Sequence, residues 1–148
     1  MEAPRPSSQR ITDAVARFEA DRDCWVATAE GGRAHLVPLS FVWLDGLFYL
    51  ATPDRSRTAN NARSGEAIRL AFGVTRDVVL VDGAPSVFAL DAMPQAVLDR
   101  YVERFGWDLH TSQGYAGLVV EPRRVLAWRE ENELPGRTIM RAGRWLEA

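Results

Sequence analysis

Apolar positions along the chain change period several times, and each change marks an element. Between residues 9 and 23, Ile11, Ala14, Val15 and Phe18 recur at helical spacing, with Ser7 or Ser8 placed to cap the helix. The pattern then becomes strand-like. Residues 24–29 and 34–43 are joined across Gly31-Gly32 as a hairpin, and the compact turn Leu44-Asp45-Gly46 leads into a third strand at 47–52. Residues 67–73 and 77–81 read as two more strands, after which Asp82-Gly83 turns the chain into 85–90. A second helix follows: Met93, Val97, Leu98, Tyr101, Val102 and Phe105 form one apolar stripe, Pro94 suits the first turn and Gly106 can stop it. That stripe reads as core. After a loop at 106–114, residues 115–120 and 123–129 read as a last strand, bent at Pro122.

The predicted class is α+β, mainly β: an antiparallel meander of about six to seven strands with flanking helices, for which barrel closure removes the open edges. Residues 1–8 read as a disordered leader, 9–130 as the domain, and 131–148 as a polar tail carrying Met140, Trp145 and Leu146. A chain of 148 residues is long enough for one domain that buries roughly 70% of its unfolded surface.

Composition removes several function classes. A formal charge of −2 argues against a general nucleic-acid binder, which normally shows a basic excess. All 18 basic residues are Arg, so any anion site must be built from guanidinium groups. Cys24 is alone, in an apolar run, which excludes a disulfide framework or a Cys-based metal site within one chain. No segment approaches the ~20 apolar residues of a membrane span, and the N-terminus has no apolar signal core; a soluble cytoplasmic protein is expected. There is no P-loop, GxGxxG, HExxH or GxSxG. The two histidines, His35 and His110, are far apart and lack carboxylates at ligand spacing, so no metal centre is expected.

One polar segment stands out. Thr52, Ser56 and Thr58 with Arg55 and Arg57 place three hydroxyls and two guanidiniums in seven residues, between an apolar strand and a short helix at 58–63. Hydroxyls, Arg forks and helix-start N–H groups are what a phosphate requires. Thr52, Ser56, Arg57 and Thr58 converging on one phosphate is one account; Ser56 or Thr58 capping the helix, with the Arg residues solvated, is the other. Pro38 is the second informative residue. Proline cannot donate to a ladder, so in mid-strand it marks an edge, a bulge, or backbone that faces something other than a neighbouring strand. Val37, Leu39 and Ser40 around it offer backbone polar groups and apolar surface suited to a flat heteroaromatic ring; an edge strand with no ligand accounts for Pro38 equally well.

Taken in order, the first helix, Trp25-Val26-Ala27-Thr28-Ala29, the Gly turn, His35-Leu36-Val37-Pro38-Leu39-Ser40-Phe41, Asp45-Gly46, and Leu50-Ala51-Thr52 with Ser56-Arg57-Thr58-Ala59-Asn60-Asn61 resemble the pyridoxamine 5′-phosphate oxidase-like split β-barrel family. The resemblance is to its flavin/deazaflavin oxidoreductase branch and covers about residues 10–130. It implies a homodimer of split barrels with FMN or the deazaflavin F420 at the subunit interface. It makes Thr52, Ser56, Arg57 and Thr58 phosphate ligands, His35, Val37, Pro38, Leu39 and Ser40 neighbours of the ring, and Asn61 a further contact. Family members often carry Lys where this chain has Arg57, a change that keeps the charge and alters the geometry. The tail does not resemble the substrate-binding end of a true pyridoxamine phosphate oxidase, which disfavours vitamin B6 oxidation. The acidic tail of F420 calls for further cations, for which Arg55, Arg63, Arg137, Arg141 and Arg144 are available. The expected function is hydride transfer to or from a small conjugated substrate. No residue is singled out as an acid or base, since such a cofactor holds the reactivity itself. The alternative is a non-catalytic barrel that binds a cofactor or a tetrapyrrole such as haem or biliverdin, with His35 or His110 as an axial ligand.

Overall fold

The structure, a computed structural model, describes residues 1–146. Its chain order is α1 (Ser7–Ala20), β1 (Asp23–Glu30), β2 (Arg33–Leu44), β3 (Leu47–Pro53), α2 (Arg57–Arg63), β4 (Ile68–Val74), β5 (Asp77–Ala89), α3 (Gln95–Phe105), β6 (Tyr115–Trp128), β7 (Thr138–Arg141) and β8 (Arg144–Trp145). The sheet is antiparallel, in the order β3-β2-β1-β4-β5-β6-β7-β8, and β3 also pairs with β6. That extra pairing closes β1–β6 into a barrel, the α+β, mainly β architecture expected from the meander.

Two turns do what their residues dictate. Gly31-Gly32 and Asp45-Gly46 all have positive φ, the geometry of a two-residue hairpin turn whose twist matches the strands. The third expected turn is absent. Asp82-Gly83 lies inside β5, opposite a bulge in β6: Asp82 pairs with Arg124 and Gly83 with Pro122, which leaves Arg123 as the extra residue. Pro122, opposite Gly83, sits at the same irregularity, and β6 runs through it unbroken. A bulge and a turn share residue types, and only the partner strand distinguishes them.

Inward-facing residues alternate along each strand and build one core, including Val26, Phe41, Phe48, Leu50, Leu70, Phe72, Val81 and Leu118. Phe18 of α1 closes one mouth of the barrel, its ring 4.9 Å from Phe48 and 5.0 Å from Phe72. Helix α2 closes the opposite mouth with Ala59 and Ala62 buried. Helix α3 packs on the outside, over Val42 and Ala51, through Met93, Val97, Leu98 and Tyr101. Val102, expected in that stripe, is half-exposed on the outer side of the helix.

Both chain ends depart from expectation. Helix α1 begins at Ser7, with Pro6 as its N-cap, so neither Ser7 nor Ser8 caps it. Arg5, expected in a disordered leader, makes a bidentate contact with Glu133 at 2.8 and 3.0 Å, and Arg10 of α1 donates to the carbonyls of Ala127, Glu133 and Gly136. The expected polar tail forms β7 and β8, which extend the sheet beyond β6 and bury Ile139 and Met140 in the core. Short strands flanked by Arg and Gly carry too weak an alternation to be read without their partner. No helix among the described residues is long and apolar enough to cross a membrane.

Candidate functional site

The site is framed by the place where the barrel splits. Strand β2 pairs with β1 from Asp23↔Ser40 to Glu30↔Arg33, but with β3 only from Phe41↔Leu50 to Leu44↔Leu47. Its first half therefore has a partner on one side and an open edge on the other. Phe41 N–H donates to the carbonyl of Arg22, on the β1 side, at 3.1 Å. Backbone groups alternate between edges along a strand, so those of Leu36, Pro38 and Ser40 face the open edge. Pro38 thus lacks its N–H on the side where no ladder exists, which is why a proline is tolerated in this long strand.

Helix α2 sits at the neighbouring mouth and is set by its own residues. The Ser56 hydroxyl accepts from Ala59 N–H at 3.1 Å, an N-cap, and shares a 2.9 Å hydrogen bond with the Thr52 hydroxyl at the end of β3. Asn61 donates to the Thr28 hydroxyl of β1 at 3.0 Å, fastening the helix across the barrel mouth. Thr52, Thr58 and Asn61 are all buried.

The ten residues anticipated at the site therefore fall into separate groups. Ser56 caps α2, while Thr52, Thr58 and Asn61 lie beneath its surface. Arg57 is exposed and, with Glu30, Arg55, Asn60 and Asn61, lines an open pocket of about 260 Å³. His35, Val37 and Leu39 alternate with Pro38 and Ser40 on opposite faces of β2; Val37 and Leu39 pack against the core, and the Ser40 hydroxyl donates to Asp23 at 2.7 Å. His35 is opposite Thr28, beside the α2 mouth. Residues 35–40 thus share neither one side-chain face nor one edge: the backbone of Leu36, Pro38 and Ser40 faces the open side, and that of His35, Val37 and Leu39 faces β1.

Charge pairing distinguishes the Arg residues. Arg5, Arg17, Arg63, Arg69, Arg76, Arg123 and Arg129 are each in an ion pair. Among the described residues, the guanidinium groups of Arg55 and Arg57 have neither an ion-pair nor a hydrogen-bond partner, as is also true of Arg22, Arg33, Arg100, Arg124, Arg141 and Arg144; what sets Arg55 and Arg57 apart is that both line the pocket at the α2 mouth. Arg63, anticipated as a further cation, is committed to Asp54. Arg137, Arg141 and Arg144 belong to the β7–β8 end, next to Val125 and Leu126 of β6, whereas the α2 mouth adjoins Tyr115. The intervening part of β6 amounts to roughly 30 Å of strand. Within one chain these three are remote from Arg57.

Sequence reasoning singled out neither Glu30 nor Asn60, and took Tyr101 only as core. Glu30 ends β1 immediately before the glycine turn, a placement that carries no chemical signal until α2 is seen beside it. Larger hollows lie elsewhere, about 410 Å³ beside Glu19, Trp43 and Arg100 and about 300 Å³ beside Arg5 and Arg129, and neither is lined by the open edge of β2. Among the described residues no cluster of His, Cys, Asp or Glu is arranged to hold a metal ion.

No protein-family model matches the chain, and no curated protein matches it in sequence. Solved structures do match. A putative pyridoxamine 5′-phosphate oxidase from Listeria innocua superposes with a TM-score of 0.66 at 10% identity, over 82% of this chain and 97% of that one. A haem storage protein from Vibrio cholerae gives 0.66 at 18% identity, over 80% and 94%. A FAD-binding protein from Mesorhizobium loti gives 0.58 at 16% identity, over 77% and 90%. At these identities what is shared is the fold: the chain has the split barrel of the pyridoxamine 5′-phosphate oxidase-like proteins.

Proposed function

We propose that this split barrel binds a phosphorylated flavin or deazaflavin, FMN or F420, and acts as an oxidoreductase on a small conjugated substrate. The observation that carries the reading is the pair of unpartnered guanidiniums, Arg55 and Arg57, beside the mouth that adjoins the open edge of β2. Two exposed Arg forks side by side, neither of them paired to Glu30 of the same pocket, present donors that a phosphate can accept from. The residues present fit such a group: Arg57 and Arg55 would hold the phosphate. The backbone of Leu36, Pro38 and Ser40 would meet the edge of the ring. Ser56 and Thr52 would act chiefly by holding the start of α2 in place. When bound, the cofactor supplies the hydride chemistry; the protein binds it, orients it and keeps water from one face.

A homodimer belongs to this reading. Trp25, Ala27, Leu36, Pro38 and Ala71 lie on the face of β1, β2 and β4 turned away from the core, with Trp25 48% and Leu36 58% exposed. A second copy seated there would cover the apolar surface and wall the open side of the slot. The FAD-binding and haem-storage proteins of the same fold support the two ligand classes alike. His35, at the same mouth, is the side chain that favours a tetrapyrrole.

Absorption titrations test the proposal. Purified protein titrated with FMN, F420 and haem should perturb the spectrum of FMN or F420 with saturable, salt-sensitive binding. A shifted Soret band that is lost in His35→Ala, with no flavin binding, would replace the oxidoreductase with a tetrapyrrole carrier. No spectral change with any of the three refutes both.

A further inference from the structure

The fork at which β2 leaves β3 is bridged by a hydroxyl from outside the sheet. Tyr101 of α3 is completely buried, and its hydroxyl lies 3.0 Å from the Ser40 carbonyl and 3.2 Å from the Tyr49 carbonyl. Tyr49 belongs to the β2–β3 ladder and Ser40 lies one residue beyond its last rung. Val42↔Tyr49 is a register pair on the edge of β2 that faces β3, so an unbroken ladder would next pair Ser40 with Ala51 and direct Ala51 N–H to the Ser40 carbonyl. Pairing instead stops at Phe41↔Leu50, and the Ser40 carbonyl takes the phenol proton.

We infer that Tyr101 is a positioning residue for the proposed cofactor slot: its hydroxyl terminates the β2–β3 ladder at Ser40 and holds the edge from Leu36 to Ser40 apart from β3. This rests on the cofactor-binding reading above. The phenol acts through the strand edge and does not itself line the Arg55–Arg57 pocket. A rigid aromatic group held from behind is well suited to the task. Tyr101 packs edge-on against Trp107, 5.8 Å between centroids, and Trp107 packs in turn against Tyr115, the partner of Pro53 at the end of β3. The same aromatic row therefore braces both sides of the split, β2 through Ser40 and β3 through Tyr49 and Tyr115. Precise support behind a binding edge is what keeps that edge at productive geometry.

Tyr101→Phe removes the hydroxyl and leaves the ring. Two arms test it. In the ligand-free protein, amide hydrogen exchange and NMR shifts should change at Ser40, Phe41 and Ala51 and remain as in wild type along β4 and β5. Unchanged exchange at the fork overturns the inference whether or not any cofactor binds. In the second arm, FMN or F420 affinity should fall about tenfold, the scale of one hydrogen bond, with an altered spectrum of the bound cofactor. Val97→Ala, one helical turn before Tyr101 in the same helix–sheet interface, removes packing and leaves the hydroxyl in place; it should lower the melting temperature and leave affinity and spectrum unchanged. If Tyr101→Phe binds with wild-type affinity and spectrum, or if Val97→Ala loses affinity equally, the positioning role is refuted. If wild type binds no cofactor, the function reading fails, and the exchange arm alone decides what Tyr101 does at the fork.

Discussion

Arg57 and Ser56 are adjacent in sequence and do different work. Arg57 projects from the start of α2 with no partner among the described residues, so its contribution should appear only when an anion is present. Arg57→Ala should weaken FMN or F420 binding by about 1.5–3 kcal/mol, the range for a charge-assisted contact, with an unchanged melting curve for the free protein. Arg144→Ala, at the opposite end of the barrel, should change affinity by less than about 0.5 kcal/mol. Equal losses in a titration of the two variants would mean diffuse electrostatics and no defined phosphate grip. Ser56→Ala should show the reverse pattern: it removes the N-cap and the bond to Thr52, and should cost about 1 kcal/mol of stability by denaturant unfolding. The density of hydroxyl and guanidinium groups over 52–58 was legible in the sequence. Which of them point outward was not, because a helix cap and an anion ligand call for the same residue types, and only burial separates Thr52, Thr58 and Asn61 from Arg57.

At the level of elements, the strands that alternate cleanly were legible and the irregular ones were not. The Gly31-Gly32 and Asp45-Gly46 hairpins follow from local turn chemistry. The bulge at Arg123, opposite Asp82-Gly83, brings together residues distant in sequence. Gly83 is there for space: a Cβ would stand 2.5 Å from the Glu121 carbonyl oxygen and 2.6 Å from Val120 Cγ1. The obstacle includes backbone of β6, which cannot rotate away. Gly83→Ala should therefore destabilise by about 1–3 kcal/mol, as overpacking does, and a shallow turn at this position would have tolerated it. Unfolding midpoints in urea for Gly83→Ala against Gly65→Ala separate the two mechanisms, because a Cβ at Gly65 meets nothing and is disfavoured only by the local positive φ. Backbone amide shifts in Gly83→Ala should change on both β5 and β6, since the bulge registers the two strands.

For the whole molecule, the N-terminal segment meets the β6–β7 connection, and that junction makes stability depend on pH. Glu133 is 1% exposed and accepts from the Arg5 side chain, from Arg5 N–H and from Arg129 N–H, while Arg10 lies 3.8 Å away. The hydrogen bonds from Arg5, opposed by burial, lower its carboxyl from the ordinary 4.5 to about 2. The folded protein thus binds this proton more weakly than the unfolded chain does. The contribution of the carboxylate is complete above pH 4.5, declines as pH falls through the interval and is gone below about 2; by linkage it amounts to about 3 kcal/mol. Glu133→Gln should be less stable at neutral pH by a similar amount and should flatten the acid limb of the stability curve. Asp13, lowered by hydrogen bonds from Arg5 and Gln9 despite the opposing effect of burial, contributes in the same direction and leaves a smaller slope in the variant. Equilibrium unfolding at several pH values between 2 and 7 measures both. An acid limb that is as steep in Glu133→Gln as in wild type would place the main proton uptake elsewhere. Because the clasp joins α1 to the β6–β7 connection, at the end away from Arg57, the variant should keep its cofactor affinity wherever it remains folded. A parallel loss of affinity and stability at neutral pH would show instead that the two ends of the barrel unfold as one unit with the site.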